Sequence, residues 1–312
     1  MAVGLDIGGT KVLGLAIDVE SGAVLAEHRV LTPDGGTAVM SALTGVVDDL
    51  QRRAGRRAEA VGVGAAGLVD SSGVLRMGPN LPGVIDLDLV GGLHRHAGVP
   101  VVVDNDATAA TVAEHRLGAA RGATDAIYVA LGTGIGGGVI LDGAIRRGAN
   151  GFGGEFGHMV IDPTGPRCGC GQVGCWEQRA SGSALGDLAR AAVDEGRAPG
   201  LAALVGPGDA VSGEQAVAAA AAGDPAGLAV LDEFARWVAL GLAALVNALD
   251  PAVVVIGGGV VEAGAVLMTP LRRQFTAFLM GAEHRPAVPV VPAHFGEHAA
   301  AVGAALLAAD AI

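Results

Sequence analysis

The chain has 312 residues, half of them apolar, with 52 glycines, three cysteines and a net charge of −12. That length buries a large core and suits two domains, and the apolar share excludes a disordered chain. The acidic balance argues against nucleic acid or a membrane surface as a partner, and three closely grouped cysteines are not a disulfide framework. Aromatics are scarce, so Ala, Val and Gly must do the packing, which favours close backbone approach.

Met1 leads directly into an apolar run over Val3–Asp6 with no basic leader, so the expected location is a reducing cytoplasm. After Gly8-Gly9, strands are predicted over 12–17 and 24–31, with Ser21-Gly22 as the turn between them. Residues 37–53 carry helical spacing (Val39, Met40, Leu43, Val46, Val47, Leu50) and stop near Gly55. A strand is expected over 60–66, an irregular segment over 67–83 and a short helix over 87–96. The run 99–103 reads as a buried parallel strand that delivers Asp104-Asn105-Asp106 to its carboxyl end, ahead of an Ala-rich helix over 107–117.

The pattern then restarts. A strand over 125–131 meets Gly132-Thr133-Gly134, and a strand over 139–141 returns with Asp142-Gly143 as a hairpin signal. Asp6-Ile7-Gly8-Gly9-Thr10 and Leu131-Gly132-Thr133-Gly134 hold matching places, which indicates internal duplication. Helices are expected over 184–195, 213–222 and 225–249. The apolar tract 237–247 is too short to span a bilayer. A buried strand over 253–256 ends in Gly257-Gly258-Gly259, and helix 267–280, strand 288–291 and helix 297–309 complete the chain.

Between the repeat and the late helices, Cys168, Cys170 and Cys175 fall within eight residues, ten residues after His158. Three thiolates and an imidazole make a closed tetrahedral zinc set with no position left for water, so the metal is expected to be structural. Glu155 and Glu177 bracket the loop and are not needed as ligands. Consecutive N–H groups in the two Gly-Thr turns suit a phosphate, with a third glycine turn at Gly257; neither turn is a Walker A loop, and Lys11 either meets a phosphate or lies exposed. One member of Asp104-Asn105-Asp106 must cap the following helix. Three such residues exceed that need, and Asp106 is the candidate general base for phosphoryl transfer. Glu155, His158, Glu177, Asn105 and Asn80 form a set of donors and acceptors suited to a polyol, with one His158 nitrogen on the metal and the other facing a substrate hydroxyl.

Together these motifs closely resemble the ROK family (repressors, open reading frames, kinases), and within it the bacterial ATP-dependent glucokinases. The motifs are Asp6-Ile7-Gly8-Gly9-Thr10-Lys11, Leu131 to Gly138, Glu155-Phe156-Gly157-His158, and the cysteine loop through Glu177. The resemblance covers essentially the whole chain. It implies an α/β, actin/hexokinase-like (ribonuclease H-like) duplicated fold, with two domains around a cleft that closes on substrate. The division implied is 1–117 plus 297–312 against 118–296, the latter with the zinc loop. The resemblance makes Asp106 the base and Asn105, Glu155, His158 and Glu177 sugar ligands, with Gly67 and Asn80 lining the sugar pocket. Nucleotide contacts fall to Gly9, Thr10, Lys11, Gly132, Thr133, Gly134, Gly257 and Gly258, and Asp6 lies on the Mg²⁺ side.

The activity implied is transfer from ATP, with Mg²⁺, to the 6-hydroxyl of glucose by a homodimer or homotetramer, the zinc loop lying on the acceptor side. Kinases for N-acetylmannosamine, N-acetylglucosamine, fructose or allose share the pocket signature. A sugar-sensing repressor of the family carries a winged helix-turn-helix ahead of the first phosphate motif, whereas here Asp6 is near residue 1. Many relatives have an aromatic after Asn80-Leu81-Pro82-Gly83; here the residue is Val84.

Overall fold

Strands β1 (Ala2–Ile7), β2 (Lys11–Ile17) and β3 (Val24–Leu31) form an antiparallel meander. The first two are buried on both faces, which their unbroken apolar runs require, and β3 is the half-exposed edge. Helix α1 (Gly36–Ala54) lays Val39, Leu43, Val46, Val47 and Leu50 on the sheet and ends at Gly55, whose φ of 67° is the left-handed cap. Strand β4 (Ala60–Ala65) pairs parallel with β1.

The segment expected to be irregular contains β5 (Leu68–Val69) and β6 (Val74–Met77), which join β7 (Ile85–Asp88) in a small antiparallel sheet. Strands of two and four residues are too short to show an alternating pattern. The helix expected from residue 87 begins as β7, and Asp88 caps α2 (Leu89–Ala97) by accepting the Gly91 N–H at 2.7 Å. Strand β8 (Val101–Asn105) is parallel to β4 and runs into α3 (Asp106–Arg116), completing the order β3-β2-β1-β4-β8.

Strands β9 (Ala126–Leu131), β10 (Ile135–Leu141) and β11 (Ala144–Arg146) repeat the meander. The returning strand β10 starts four residues before expectation because Gly136 to Gly138 continue it. Asp142 and Gly143 both have positive φ, 54° and 72°, as a two-residue hairpin needs. Helices α4 (Glu177–Ala180), α5 (Gly182–Asp194), α6 (Pro199–Ala202), α7 (Gly213–Ala221) and α8 (Pro225–Leu249) follow. Then come β12 (Val253–Gly257), α9 (Ala265–Phe278), β13 (Val290–Pro292) and α10 (Ala299–Ala309). The second large sheet has the order β11-β10-β9-β12-β13, with β12 and β13 parallel as β4 and β8 are. The two orders match strand for strand, so the duplication expected from the glycine turns is a duplication of topology.

This computed structural model describes residues 1–206 and 209–312, which form two units: 1–128 with 137–154 and 293–312, and 129–136 with 155–292. The first unit therefore takes in 118–128, 137–154 and 293–296, which the sequence-based division gave to the second. Its core lies on both faces of the first sheet, with α1 and α2 on one face and α3 and α10 on the other. The second face explains the Ala and Gly content. A Cβ at Gly4 would stand 1.8 Å from the Ala301 carbonyl oxygen, and one at Gly62 would stand 1.8 Å from that of Ala304. Alanine-rich α10 thus lies directly on the backbone of the sheet. Fully buried Glu114 of α3 is satisfied by the N–H groups of Ala119, His294 and Phe295, which ties α3 to the segment before α10. Among the described residues no helix is long and apolar enough to cross a membrane.

Candidate active site

The carboxyl ends of three parallel strands set the first cluster. Asp6 of β1 stands beside Gly64 of β4, and Gly64 beside Asp104 of β8. A Cβ at Gly64 would lie 3.3 Å from the Cα of Asp106, so the missing side chain lets the start of α3 close over the row. The three polar residues at this junction divide their tasks. Asn105 is the cap: its Oδ1 accepts the Thr108 N–H at 3.1 Å, and its Nδ2 donates to the Gly67 carbonyl at 3.2 Å. Asp104 is buried, accepts the Asn105 N–H at 2.9 Å and pairs with Arg147 Nε at 2.6 Å. Asp106 accepts the Ala107 N–H at 2.8 Å.

Burial raises all three carboxyls in this row. It raises Asp106 against the hydrogen bonds that favour its anion, and Asp104 despite Arg147. Asp6 is pushed up to about 7, first by burial and then by the charge of Asp106, with Lys11 opposing. Two carboxyls with raised and mutually dependent affinity for protons are what acid–base chemistry near neutral pH uses.

The first glycine turn is closed by Gly8 N–H donating to the Lys11 carbonyl at 3.0 Å, and Thr32 Oγ1 donates to the Gly8 carbonyl at 2.7 Å. A Cβ at Gly9 would fall 2.7 Å from that of Asn80, so the turn bearing Thr10 packs on the Asn80 segment. Gly67 is needed for a similar reason, since its Cβ would meet the Met77 carbonyl oxygen at 2.3 Å. Lys11 lies partly exposed with its ammonium 2.6 Å from Glu297, which also holds Arg29 through two bonds.

In the second unit, His158 closes a single 3₁₀ turn over Phe156–His158. One ligand atom from each of His158, Cys168, Cys170 and Cys175 lies within 4.8 Å of the others. Cys168 Sγ is 3.7 Å from His158 Nδ1, and Cys170 Sγ is 3.6 Å from Cys175 Sγ. Zinc–sulfur bonds of about 2.3 Å place tetrahedral ligand atoms about 3.8 Å apart, so the residues fit the ion. Burial pushes the Cys168 thiol up to about 12 and raises Cys175, whereas the Gln172 N–H lowers Cys170. A cation among them would favour the thiolate forms against that burial, and the donor set is of a kind that could hold one. His158 Nε2 points the other way, 3.9 Å from Glu155 Oε2.

Glu177 is the hub of this unit. Its Oε1 accepts from the Cys168 thiol at 3.1 Å and lies 3.7 Å from His158 Nδ1. Its Oε2 takes the Ile135 N–H at 3.5 Å and would be 2.7 Å from a Cβ at Gly134. The second glycine turn packs against the cysteine loop through Glu177. Trp176, fully buried between Cys175 and Glu177, donates Nε1–H to the Trp237 carbonyl at 2.9 Å. It lies so close to α8 that a Cβ at Gly241 would be 2.1 Å from its ring.

The second glycine turn is braced from two more places. Gly182 N–H donates to the Gly132 carbonyl at 2.7 Å, and Ser183 Oγ donates to the Thr133 carbonyl at 2.9 Å. Gly258, just past Gly257 at the end of β12, has φ 82° and leaves no room for a Cβ, which would stand 2.3 Å from the Leu131 carbonyl oxygen. Asp6, Gly9, Thr10, Lys11, Gly67, Asn80, Asn105 and Asp106 are thus in the first unit. Gly132, Thr133, Gly134, Glu155, His158, the cysteines, Glu177, Gly257 and Gly258 are in the second. Gly182, Ser183 and Arg147 join these groups without any sequence motif that marks them. The cap Ser181 signals α5, but nothing local links Arg147 to Asp104.

The ROK family model matches residues 2–311. The glucokinase of Streptomyces coelicolor is 39% identical over 314 residues, which is 99% of this chain and 98% of that protein. A ROK family glucokinase from Streptomyces griseus, solved in complex with glucose and AMPPNP, is 40% identical over 99% of both chains, with a TM-score of 0.88. A ROK hexokinase from Thermus thermophilus is 40% identical over 99% of this chain and 98% of its own, with a TM-score of 0.84.

Proposed function

This chain belongs to the ROK family, and we propose that it transfers the γ-phosphoryl group of ATP to the 6-hydroxyl of glucose. An ATP-dependent sugar kinase is the activity that its kinship with glucokinases and a hexokinase supports. The observation that carries the mechanism is the division of labour at the β8–α3 junction. Asn105 caps and Asp104 pairs with Arg147, which leaves the Asp106 carboxyl for chemistry. Asp106 accepts the proton of the attacking hydroxyl, and desolvation raises its basicity for that task.

The backbone N–H groups of the two glycine turns hold the donor phosphates, with Thr10 and Thr133 adding hydroxyl donors. Mg²⁺, when bound with ATP on the Asp6 side, supplies charge neutralisation of the phosphates. Glu155, His158 and Glu177 bind sugar hydroxyls, as do Asn80 and Asn105. His158, Cys168, Cys170 and Cys175 would hold zinc, which with four protein ligands supplies rigidity rather than an open coordination position. His158 then has Nδ1 on the metal side and Nε2 toward the sugar. The thiol-rich set suits a reducing cytoplasm, and the resemblance supports a homodimer or homotetramer.

The test is a substrate panel of glucose, fructose, allose, N-acetylmannosamine and N-acetylglucosamine with ATP, read by coupled ADP release. Glucose should give the highest kcat/KM. A different preferred hexose overturns the substrate and leaves the kinase; release of ADP with none of them overturns neither the fold nor the family but does overturn the activity.

A further inference from the structure

We propose that Arg147 is a positioning residue of the reaction, which holds the Asp106 carboxylate in aim through Asp104. The inference rests on the reading of Asp106 as base. Arg147 Nε is 2.6 Å from Asp104 Oδ2, and Asp104 Oδ1 takes the Asn105 N–H at 2.9 Å. Asn105 in turn is held at both ends of its amide, by the Thr108 N–H and the Gly67 carbonyl. Asp106 is the next residue and the first of α3. Arg147 therefore stands at the head of a chain of bonds, all within one unit, that fixes the backbone from which the base projects.

Arg147 is itself anchored. Its carbonyl accepts the Gly153 N–H at 2.8 Å, and a Cβ at Gly153 would lie 2.9 Å from that same carbonyl group. A Cβ at Gly151 would lie 3.0 Å from the Ser71 nitrogen, so the following loop is packed down on the β5–β6 turn.

Stability alone is a poor reason for this pair. Asp104 is 6% exposed, and burying a carboxylate with one charged partner roughly cancels the attraction gained. What the pair does supply is direction, because Arg147 Nε on one oxygen and the Asn105 N–H on the other together orient the carboxylate between them. A cavity of about 270 Å³ opens beside Asp104 and Arg147, with Ser71 and Gly148 on its wall, so a shorter side chain at 147 meets no clash.

The experiment compares Arg147→Gln, Arg147→Lys, the double variant Asp104→Asn with Arg147→Gln, and Asp106→Asn, each as the full chain, by steady-state kinetics and thermal melting. A base displaced by about 1 Å costs on the order of a hundredfold. Arg147→Gln should therefore lose about tenfold to a hundredfold in kcat, with both KM values within about threefold of the parent. Arg147→Lys restores the charge and should recover part of kcat. The double variant removes the uncompensated carboxylate and should recover the melting temperature but not kcat.

A kcat that follows the melting temperature, or one in Arg147→Gln equal to the parent's per folded molecule, overturns the proposal. If Arg147→Gln fails to fold, the lysine and double variants decide by the same split between kcat and melting temperature. Near-parental turnover in Asp106→Asn is a separate result: it removes the base itself, whatever Arg147 does.

Discussion

Replacing Asp6 with asparagine should stabilise the protein at pH 8 and leave it almost unchanged at pH 4. The Asp6 carboxyl is moved from 3.8 to about 7, chiefly by burial and next by the charge of Asp106. Between those values the folded chain keeps a proton that the unfolded chain has released. Stability therefore falls as pH rises through that window, and the full loss is present above it. At about 1.4 kcal/mol for each tenfold change in proton affinity the displacement amounts to about 4 kcal/mol. In a chain of this length that is on the order of 5–10 °C in melting temperature.

Asparagine keeps the shape and never ionises, so the gain should appear at pH 8 and vanish toward pH 4. Asp106→Asn should give a gain with the same sign, since burial raises that carboxyl as well and its charge is the second cause at Asp6. Melting curves of the parent and both variants across this pH range, without nucleotide or Mg²⁺, measure the effect. An Asp6→Asn gain equal at both ends of the range, or absent at pH 8, would refute the reasoning. The same variant should lose ATP-dependent turnover, which would mark the buried carboxylate as a stability cost kept for function.

The cysteine loop should carry about one zinc per chain by elemental analysis. Cys170→Ala should lose the metal, melt earlier and fail to bind sugar in the fraction that stays folded; zinc-free protein with full activity would contradict this. Gly241→Ala places a methyl 2.1 Å from the Trp176 ring and should cost about 1–3 kcal/mol in stability. Because Trp176 lies between Cys175 and Glu177, that variant should also release zinc at lower chelator concentration. Lower stability with unchanged chelator resistance would show that the α8 contact does not hold the loop.

Much of the architecture was legible because it rests on local signals. The continuous apolar runs of β1, β4, β8 and β12 announce parallel strands, and Gly55 and the Asp142-Gly143 pair announce their turns. The grouping of His158 with the three cysteines was legible because three cysteines and a histidine are chemically rare together. The β5–β7 sheet was not, since its strands are shorter than any pattern they could carry. The roles within Asp104-Asn105-Asp106 were left open by the sequence: which residue caps is fixed by Gly67 and by Arg147, each about forty residues away. Likewise, nothing in the sequence shows that Gly134 touches Glu177, because that contact depends on how the loop folds back. Close backbone approaches such as Gly4 on Ala301 appear in the sequence only as an unusual glycine content.

The most direct test of Asp106 as the base is the turnover of Asp106→Asn with glucose and ATP, alongside calorimetric binding of each. A lost general base costs about a hundredfold to ten-thousandfold in kcat, and binding of both ligands should stay near that of the parent. Turnover close to the parent's, with both ligands bound, would contradict it.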